Sequence, residues 1–96
     1  MAYVIRAIDR PGAPDVRSAN REAHIAFLGA AGDRLLLAGP LLSETGDMAG
    51  SLLVVEMNSM AEVADWLAND PYSRAGLFEA VDISAFKPVI SNFKSD

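Results

Sequence analysis

The pattern of hydrophobic and polar positions is clearest at the centre of the chain. Residues 35–38 (LLLA) and 52–55 (LLVV) are apolar runs separated by a polar, glycine-containing stretch, which is typical of a β-hairpin with a long loop. A strand with one face in water alternates apolar and polar side chains, whereas neither run alternates. We therefore expect both strands to be covered on both faces.

The segment before the hairpin predicts a strand followed by a helix. Residues 2–8 (AYVIRAI) are rich in β-forming side chains, and the following DRPGAP ends this strand. Residues 15–31 predict a helix with Asp15 as its N-cap and Gly32 as the left-handed residue that ends it. Its predicted buried stripe, at three- and four-residue steps, is Val16, Ala19, Ala23, Phe27 and Ala30. A neighbouring row carries cations and the only histidine: Arg17, Arg21, His24 and Leu28.

The segment after the hairpin repeats the helix and strand. Ser59 and Glu62 have the spacing of a capping box, and Asp70 before a proline is expected to end the helix. Residues 77–86 (LFEAVDISAF) alternate and predict the last strand. Residues 87–96 form a C-terminal tail that we expect to add an edge strand or contact a dimer partner. The predicted buried stripe of the second helix is Met60, Val63, Ala64 and Leu67.

The order of elements, β-α-β-β-α-β, predicts an α+β fold of the ferredoxin-like type over residues 1–96, as a single domain. This fold places two helices on one face of a four-stranded antiparallel sheet. The other face would then expose the apolar hairpin side chains, which is more apolar surface than soluble monomers usually leave in water. We therefore predict a homodimer formed through the open sheet face.

Composition excludes several classes of protein. The chain has a net charge of -5, which disfavours a nucleic-acid partner, and it contains no cysteine for disulfides, thiolate metal sites or a cysteine nucleophile. Its apolar runs are far shorter than the ~20 residues that span a bilayer, and its start lacks the pattern of a signal peptide. We expect a cytoplasmic protein with no membrane partner. The sequence also lacks GxGxxG, GxxxxGK and HExxH motifs, so we expect neither a cofactor nor a metal.

Several short motifs resemble those of the YciI-like (YCII) family, in the same order and spacing: Arg21-x-x-His24, Gly39-Pro40-Leu41, Gly50-Ser51, Asp70-Pro71-Tyr72 and Ala75-Gly76-Leu77-Phe78. The resemblance covers about residues 2–90. It implies a dimeric α+β barrel fold with an active site at a histidine and an aspartate, which correspond here to His24 and Asp70. It also implies cofactor-free chemistry, such as dehydrochlorination of chlorinated hydroxyquinols.

The chemistry of these two residue types supports the same role. An imidazole exchanges protons near neutral pH, and a carboxylate on one ring nitrogen fixes the tautomer and stabilises the imidazolium. Such a pair could remove a proton from a small cyclic substrate and return it elsewhere, which is isomerase or lyase chemistry. Arg21, Ser51 and Tyr72 are candidates to hold an anionic or phenolic small-molecule ligand.

Each candidate also has a structural interpretation. A histidine beside an apolar helical stripe is often a hydrogen-bonded interior residue, and aspartate before proline is ordinary turn chemistry. Arg21 is typical of a solvated helix edge, Tyr72 of packing, and Ser51 lacks the GxSxG pattern of a nucleophile.

Two hypotheses therefore remain open. One is a cofactor-independent enzyme with a His24–Asp70 dyad, and the other is a non-catalytic small-molecule-binding or homo-oligomeric assembly module. The enzyme hypothesis requires the two side chains to lie within about 3 Å of each other beside a cavity.

Overall fold

The computed structural model of the protein describes residues 1–93 and contains one four-stranded sheet. The strands are β1 (Ala2–Asp9), β2 (Leu35–Leu42), β3 (Met48–Glu56) and β4 (Phe78–Phe86). They lie in the order β2-β3-β1-β4, and every neighbouring pair is antiparallel. The helices are α1 (Pro14–Ala30), α2 (Met60–Ala68) and the one-turn α3 (Pro71–Arg74), and a short 3₁₀ turn spans Gly32–Arg34. This arrangement confirms the predicted ferredoxin-like α+β fold, to which α3 is an addition.

The core lies between the sheet and the helices and is centred on β1. Ile5 is fully buried and pairs with Leu53 on one side and Ile83 on the other. Because side chains alternate along a strand, the residues that flank Ile5 and Leu53 point to the opposite face of the sheet. The largest buried cluster contains Tyr3, Ile5, Leu53, Val55, Met57, Val63 and Leu67.

The ends of α1 agree only in part with the prediction. Gly32 has a φ of 59° directly after the C-cap Ala31, which confirms it as the left-handed stop. The N-cap, however, is Ala13 with no side-chain hydrogen bond, and Asp15 lies in the first turn. The physical reason is Pro14, whose fixed φ and missing N–H suit the first helical position and start the helix one residue earlier.

The predicted buried face of α1 is wrong for its alanines, although Val16 and Phe27 of the predicted stripe are half-buried. Ala19, Ala23 and Ala30 are exposed, whereas Arg17 and His24 are only 6% and 7% exposed. Two members of the neighbouring row, Arg17 and His24, therefore face the sheet, whereas Arg21 of that row is exposed. Polar groups are buried when they are paired, and the structure supplies a carboxylate for each of these two side chains.

The second helix has Ser59 as its N-cap and ends before Asp70, which is extended as predicted for a residue that precedes proline. Ser59 Oγ accepts a hydrogen bond from the Glu62 N–H at 3.1 Å, although the Glu62 carboxylate contacts Arg34 and does not close a capping box. Within the predicted stripe, Val63 and Leu67 are buried, while Met60 and Ala64 are exposed at the margin.

Residues 87–93 form no strand in the single chain, and an edge strand or a contact with a dimer partner stays a prediction for this tail. Residues 94–96 of that tail lie outside the described residues. The apolar side chains of this stretch are largely exposed, with Val89 at 81% and Ile90 at 82%.

The sheet face opposite the core helices is largely apolar. Cross-strand pairing places Val4 beside Val54 and Leu37 beside Val54, and Arg6 beside Leu52 and Asp82. Arg6 and Asp82 add a polar border on the β4 side. None of the helices within residues 1–93 is long and apolar enough to cross a membrane.

Candidate active site

Arg17 joins α1 to the ends of two central strands. Its guanidinium donates to both carboxylate oxygens of Asp9, with Nε–Oδ2 at 2.7 Å and Nη2–Oδ1 at 3.0 Å. Nη2 also donates to the Gly50 carbonyl at 2.8 Å and to Ser51 Oγ at 3.2 Å. The planar fork of an arginine suits this bidentate contact. Arg17 therefore fixes the position of α1 over β1 and β3.

The charge of Arg17 is stabilised by its surroundings. Burial disfavours the guanidinium, but the hydrogen bond and the attraction to Asp9 outweigh that penalty, with a smaller contribution from Tyr72, so the pKa of Arg17 is raised. Arg17 thus stays cationic while its charge is matched by Asp9.

His24 and Asp70 form the pair that the enzyme hypothesis requires. His24 Nδ1 lies 2.8 Å from Asp70 Oδ1 and 3.0 Å from Oδ2, and Asp70 is fully buried. Asp70 is the N-cap of α3, and its Oδ1 also accepts from the Tyr72 N–H at 2.9 Å. The same carboxylate therefore caps the turn at Pro71 and binds His24.

The partner of Nδ1 determines which nitrogen of His24 is free. A carboxylate only accepts, so Nδ1 carries the proton and the lone pair of a neutral ring lies on Nε2. Within residues 1–93, the hydrogen bonds of His24 are all made by Nδ1, and no buried side-chain nitrogen or oxygen there lacks a partner. Nε2 has no hydrogen-bond partner there, so it cannot be one of the buried atoms and must be reachable from solvent. A small molecule can therefore contact it.

Tyr72 stacks against the imidazole. The ring centroids of His24 and Tyr72 are 3.8 Å apart with an interplanar angle of 13°, and Arg17 Cζ lies 4.8 Å from the centroid of the tyrosine ring. Burial raises the pKa of Tyr72, and the attraction of Arg17 and Arg21 for a phenolate only partly offsets this. The hydroxyl therefore stays protonated at neutral pH and can donate a hydrogen bond.

A cavity of about 160 Å³, called the inner cavity below, brings the sequence-predicted residues together. His24, Arg21, Ser51 and Tyr72 all line it, and Asp70 lies behind the imidazole. Arg21 is exposed and forms no ion pair within residues 1–93. Ser51 is buried and accepts from Arg17, so its hydroxyl belongs to the arginine network. The remaining wall is mostly apolar and includes Ile25, Leu28, Pro40, Met48 and Leu53.

Asp9 belongs to this site and was missed in the sequence, and Gly50, noted there only as part of the Gly50-Ser51 motif, was given no role in it. Asp9 is the last residue of β1, and its carboxylate binds Arg17, which follows eight residues later. This separation matches neither the strand nor the helix period, so the sequence pattern does not connect the two residues. Gly50 contributes a main-chain carbonyl, for which a side-chain pattern gives no signal. Within residues 1–93, no group of three or more histidine, aspartate or glutamate side chains could hold a metal ion.

The fold and the site define a ferredoxin-like α+β protein with a buried His–Asp pair at the wall of a small cavity. The sequence model of the family described as "YCII-related domain" matches residues 1–87, and the chain belongs to this family. An uncharacterized protein of Haemophilus influenzae is 39% identical over 98 residues, which cover 93% of this chain and 99% of the relative. Protein YciI of Escherichia coli O6:H1 is 36% identical over 97 residues, with coverage of 93% and 99%.

Solved structures show the same fold, that of the dimeric α+β barrel superfamily. A 5-chloro-2-hydroxyhydroquinone dehydrochlorinase from Burkholderia phenoliruptrix AC1100, in complex with 2,5-dihydroxybenzoquinone, is 39% identical with a TM-score of 0.86. The similarity covers 91% of this chain and 94% of that enzyme. Protein Atu4242 from Agrobacterium tumefaciens, at 22% identity and a TM-score of 0.55 over 93% and 94% of the two chains, shares the fold alone.

Proposed function

We propose that the protein is a small cofactor-independent enzyme that transfers a proton on a small cyclic substrate, in an elimination such as dehydrochlorination or in a lactone isomerisation. One observation carries the proposal: a buried His24–Asp70 pair leaves Nε2 accessible at a cavity. Asp70 holds the ring in one tautomer and stabilises the imidazolium that forms when Nε2 accepts a proton.

The lining of the inner cavity supports an anionic or phenolic substrate. Removal of a proton from a ring hydroxyl leaves a negative charge, which the guanidinium of Arg21, with no ion pair among the described residues, would stabilise. Tyr72 stays neutral and can donate its hydroxyl to a ring oxygen. In a dehydrochlorination the ring loses one proton to the base, and chloride leaves with the electron pair of the carbon–chlorine bond.

The size of the inner cavity supports a one-ring substrate. Its volume of about 160 Å³ is close to that of a cavity that holds one benzene molecule, ~150 Å³. The similar dehydrochlorinase was solved with 2,5-dihydroxybenzoquinone, which is a single six-membered ring. A chlorinated hydroxyquinol is therefore the first substrate to test.

The test is chloride release from 5-chloro-2-hydroxyhydroquinone by the wild-type chain and by His24→Ala and Asp70→Asn. We expect each variant to lose about 100-fold or more in kcat/KM, which is the usual contribution of a general base. Glu22→Gln, an exposed change on the same helix, is the matched control and should retain activity. Folding of each variant is checked by circular dichroism. Turnover that survives in both dyad variants would rule out the proposed base.

A second candidate function is that of a non-catalytic binding module. It is supported because the hydrogen bonds of Asp70 also have a structural role. Asp70 caps α3 while it holds His24 on α1, so the pair also connects two helices. If this is its only role, His24→Ala and Asp70→Asn lower the thermal midpoint, and no small ring compound is turned over by the wild type. Binding of those compounds would then be the same in wild type and Asp70→Asn.

We further propose that a second copy of the chain covers the open sheet face. The support is the apolar strip of residues that no helix within residues 1–93 covers, together with the exposed Val89 and Ile90. Light scattering after size exclusion at micromolar concentration should give twice the chain mass. Leu52→Glu, on the open face, should give a monomer, while Met60→Glu, on the exposed margin of α2, should not. A wild-type monomer would contradict the proposal.

A further inference from the structure

A second and larger cavity adjoins the inner one. It has a volume of about 580 Å³ and lies between the end of β1, the start of α1 and the loop that leads into β3. We call it the outer cavity. Arg17, Arg21 and Met48 line both cavities. These three shared side chains make the two cavities direct neighbours.

The outer cavity carries excess positive charge. Arg10, Arg17 and Arg21 line it against Asp9 and Asp47, although the whole chain has a net charge of -5. Arg17 is matched by Asp9, and it therefore adds no net attraction for a ligand.

After this pairing, the guanidinium groups of Arg10 and Arg21 are left with one carboxylate, that of Asp47, so the cavity keeps one excess positive charge. Arg10 donates Nε to the Gly76 carbonyl, which is a neutral partner. Arg21 forms no ion pair within residues 1–93. A cleft with an excess of one sign of charge concentrates small ions of the opposite sign. An anionic group is thus the ligand chemistry that this cavity favours, in a protein whose overall charge repels anions.

The two volumes determine where that anionic group would lie. The inner cavity is filled by about one six-membered ring. A substituent on the ring therefore has to leave it, and the shared residue Arg21 places the outer cavity in its path.

We propose that the outer cavity binds a carboxylate-bearing side chain of the substrate, so that the substrate class is a hydroxylated ring with a short anionic substituent. Arg10 and Arg21 bind the carboxylate, and His24 faces the ring. This inference rests on the proposed function, which places the ring beside the His24–Asp70 pair. It adds the anionic substituent, which that pair does not contact.

The test compares two ligands that differ only in charge. Calorimetric titration of the full chain with 2,5-dihydroxyphenylacetate and with its neutral amide should show about tenfold or tighter binding of the acid, as expected for a charge-assisted bond to arginine. Arg10→Gln, which changes a residue of the outer cavity alone, should remove most of that difference. Arg34→Gln, an exposed change elsewhere, is the control and should preserve it.

A second variant tests the same site without removing charge. Ala49 lines only the outer cavity, so Ala49→Trp should block the side chain of the acid and weaken its binding to the level of hydroquinone. Hydroquinone, which has no side chain, should bind this variant and the wild type equally. Equal binding of acid and amide by the wild type would overturn the outer-cavity proposal.

The two proposals fail in different ways. If hydroquinone binds and His24→Ala weakens that binding, while acid and amide bind equally, only the outer-cavity proposal is refuted. If no ring compound binds, the proposed function and the outer-cavity proposal both fail. If the acid binds more tightly than the amide but neither Arg10→Gln nor Ala49→Trp weakens its binding, the anion site lies elsewhere and the outer-cavity proposal is refuted.

Discussion

Gly50→Ala offers a direct test of the contact between β1 and β3 beside the site. A Cβ on Gly50 would overlap with the Ala7 carbonyl oxygen and would lie 3.1 Å from Leu41 Cδ1. The first of these atoms belongs to the main chain, so a side-chain rotation cannot relieve the overlap. The two strands would have to separate at Ala7–Ser51 and Ile8–Gly50, the pairs next to the carbonyl that Arg17 binds.

The expected cost of Gly50→Ala follows from this overlap. Inserting a methyl group into a packed interior costs about 1–3 kcal/mol, and a main-chain contact favours the upper end of that range. For a chain of this size, each kcal/mol lowers the thermal midpoint by roughly 4–8 °C. Urea unfolding followed by circular dichroism would measure the change in the free energy of unfolding.

Gly39→Ala is the matched control because Gly39 lies on β2 of the same sheet. A Cβ there meets no atom within 4 Å, and its φ is not in the left-handed region. We expect this variant to unfold within about 1 kcal/mol of the wild type, with a small gain from the less flexible unfolded chain. If Gly50→Ala is as stable as Gly39→Ala, the close approach of β1 and β3 is refuted, and with it the explanation for a glycine at this position.

Three further predictions concern stability. Ser59→Ala removes the N-cap acceptor of α2 and should cost about 1 kcal/mol in urea unfolding, and an unchanged midpoint would contradict this. Asp9→Ala leaves the buried Arg17 charge without its partner and should cost about 3 kcal/mol or more, while the exposed Asp65→Ala should change stability by less than about 0.5 kcal/mol. Because burial raises the pKa of Tyr72, its contribution to stability is fully present below the ordinary pKa of ~10 and is lost as the pH rises through the folded-state value. Unfolding midpoints measured from pH 8 upward should therefore fall less steeply in Tyr72→Phe than in the wild type, and parallel curves would refute the shift.

Strand and helix order could be read from the sequence because each element has a strong local signal. The two apolar runs of the hairpin, the alternation before Phe86 and the glycine after α1 all depend on neighbours within a few residues. The positions of His24 and Asp70 were carried over by family resemblance, since nothing local connects residues that are 46 positions apart. The face of α1 was misassigned because hydrophobicity alone cannot show that Arg17 has a buried partner.

By itself, the sequence determined the order of strands and helices, the stop of α1 at Gly32 and the cap of α2 at Ser59, since these depend on backbone preferences and nearby side chains. Only the tertiary structure decided which row of α1 faces the sheet. Burial of Arg17 and His24 becomes favourable only when the carboxylates of Asp9 and Asp70 bind them. Those contacts form only when the whole chain has folded, because they join different strands and helices.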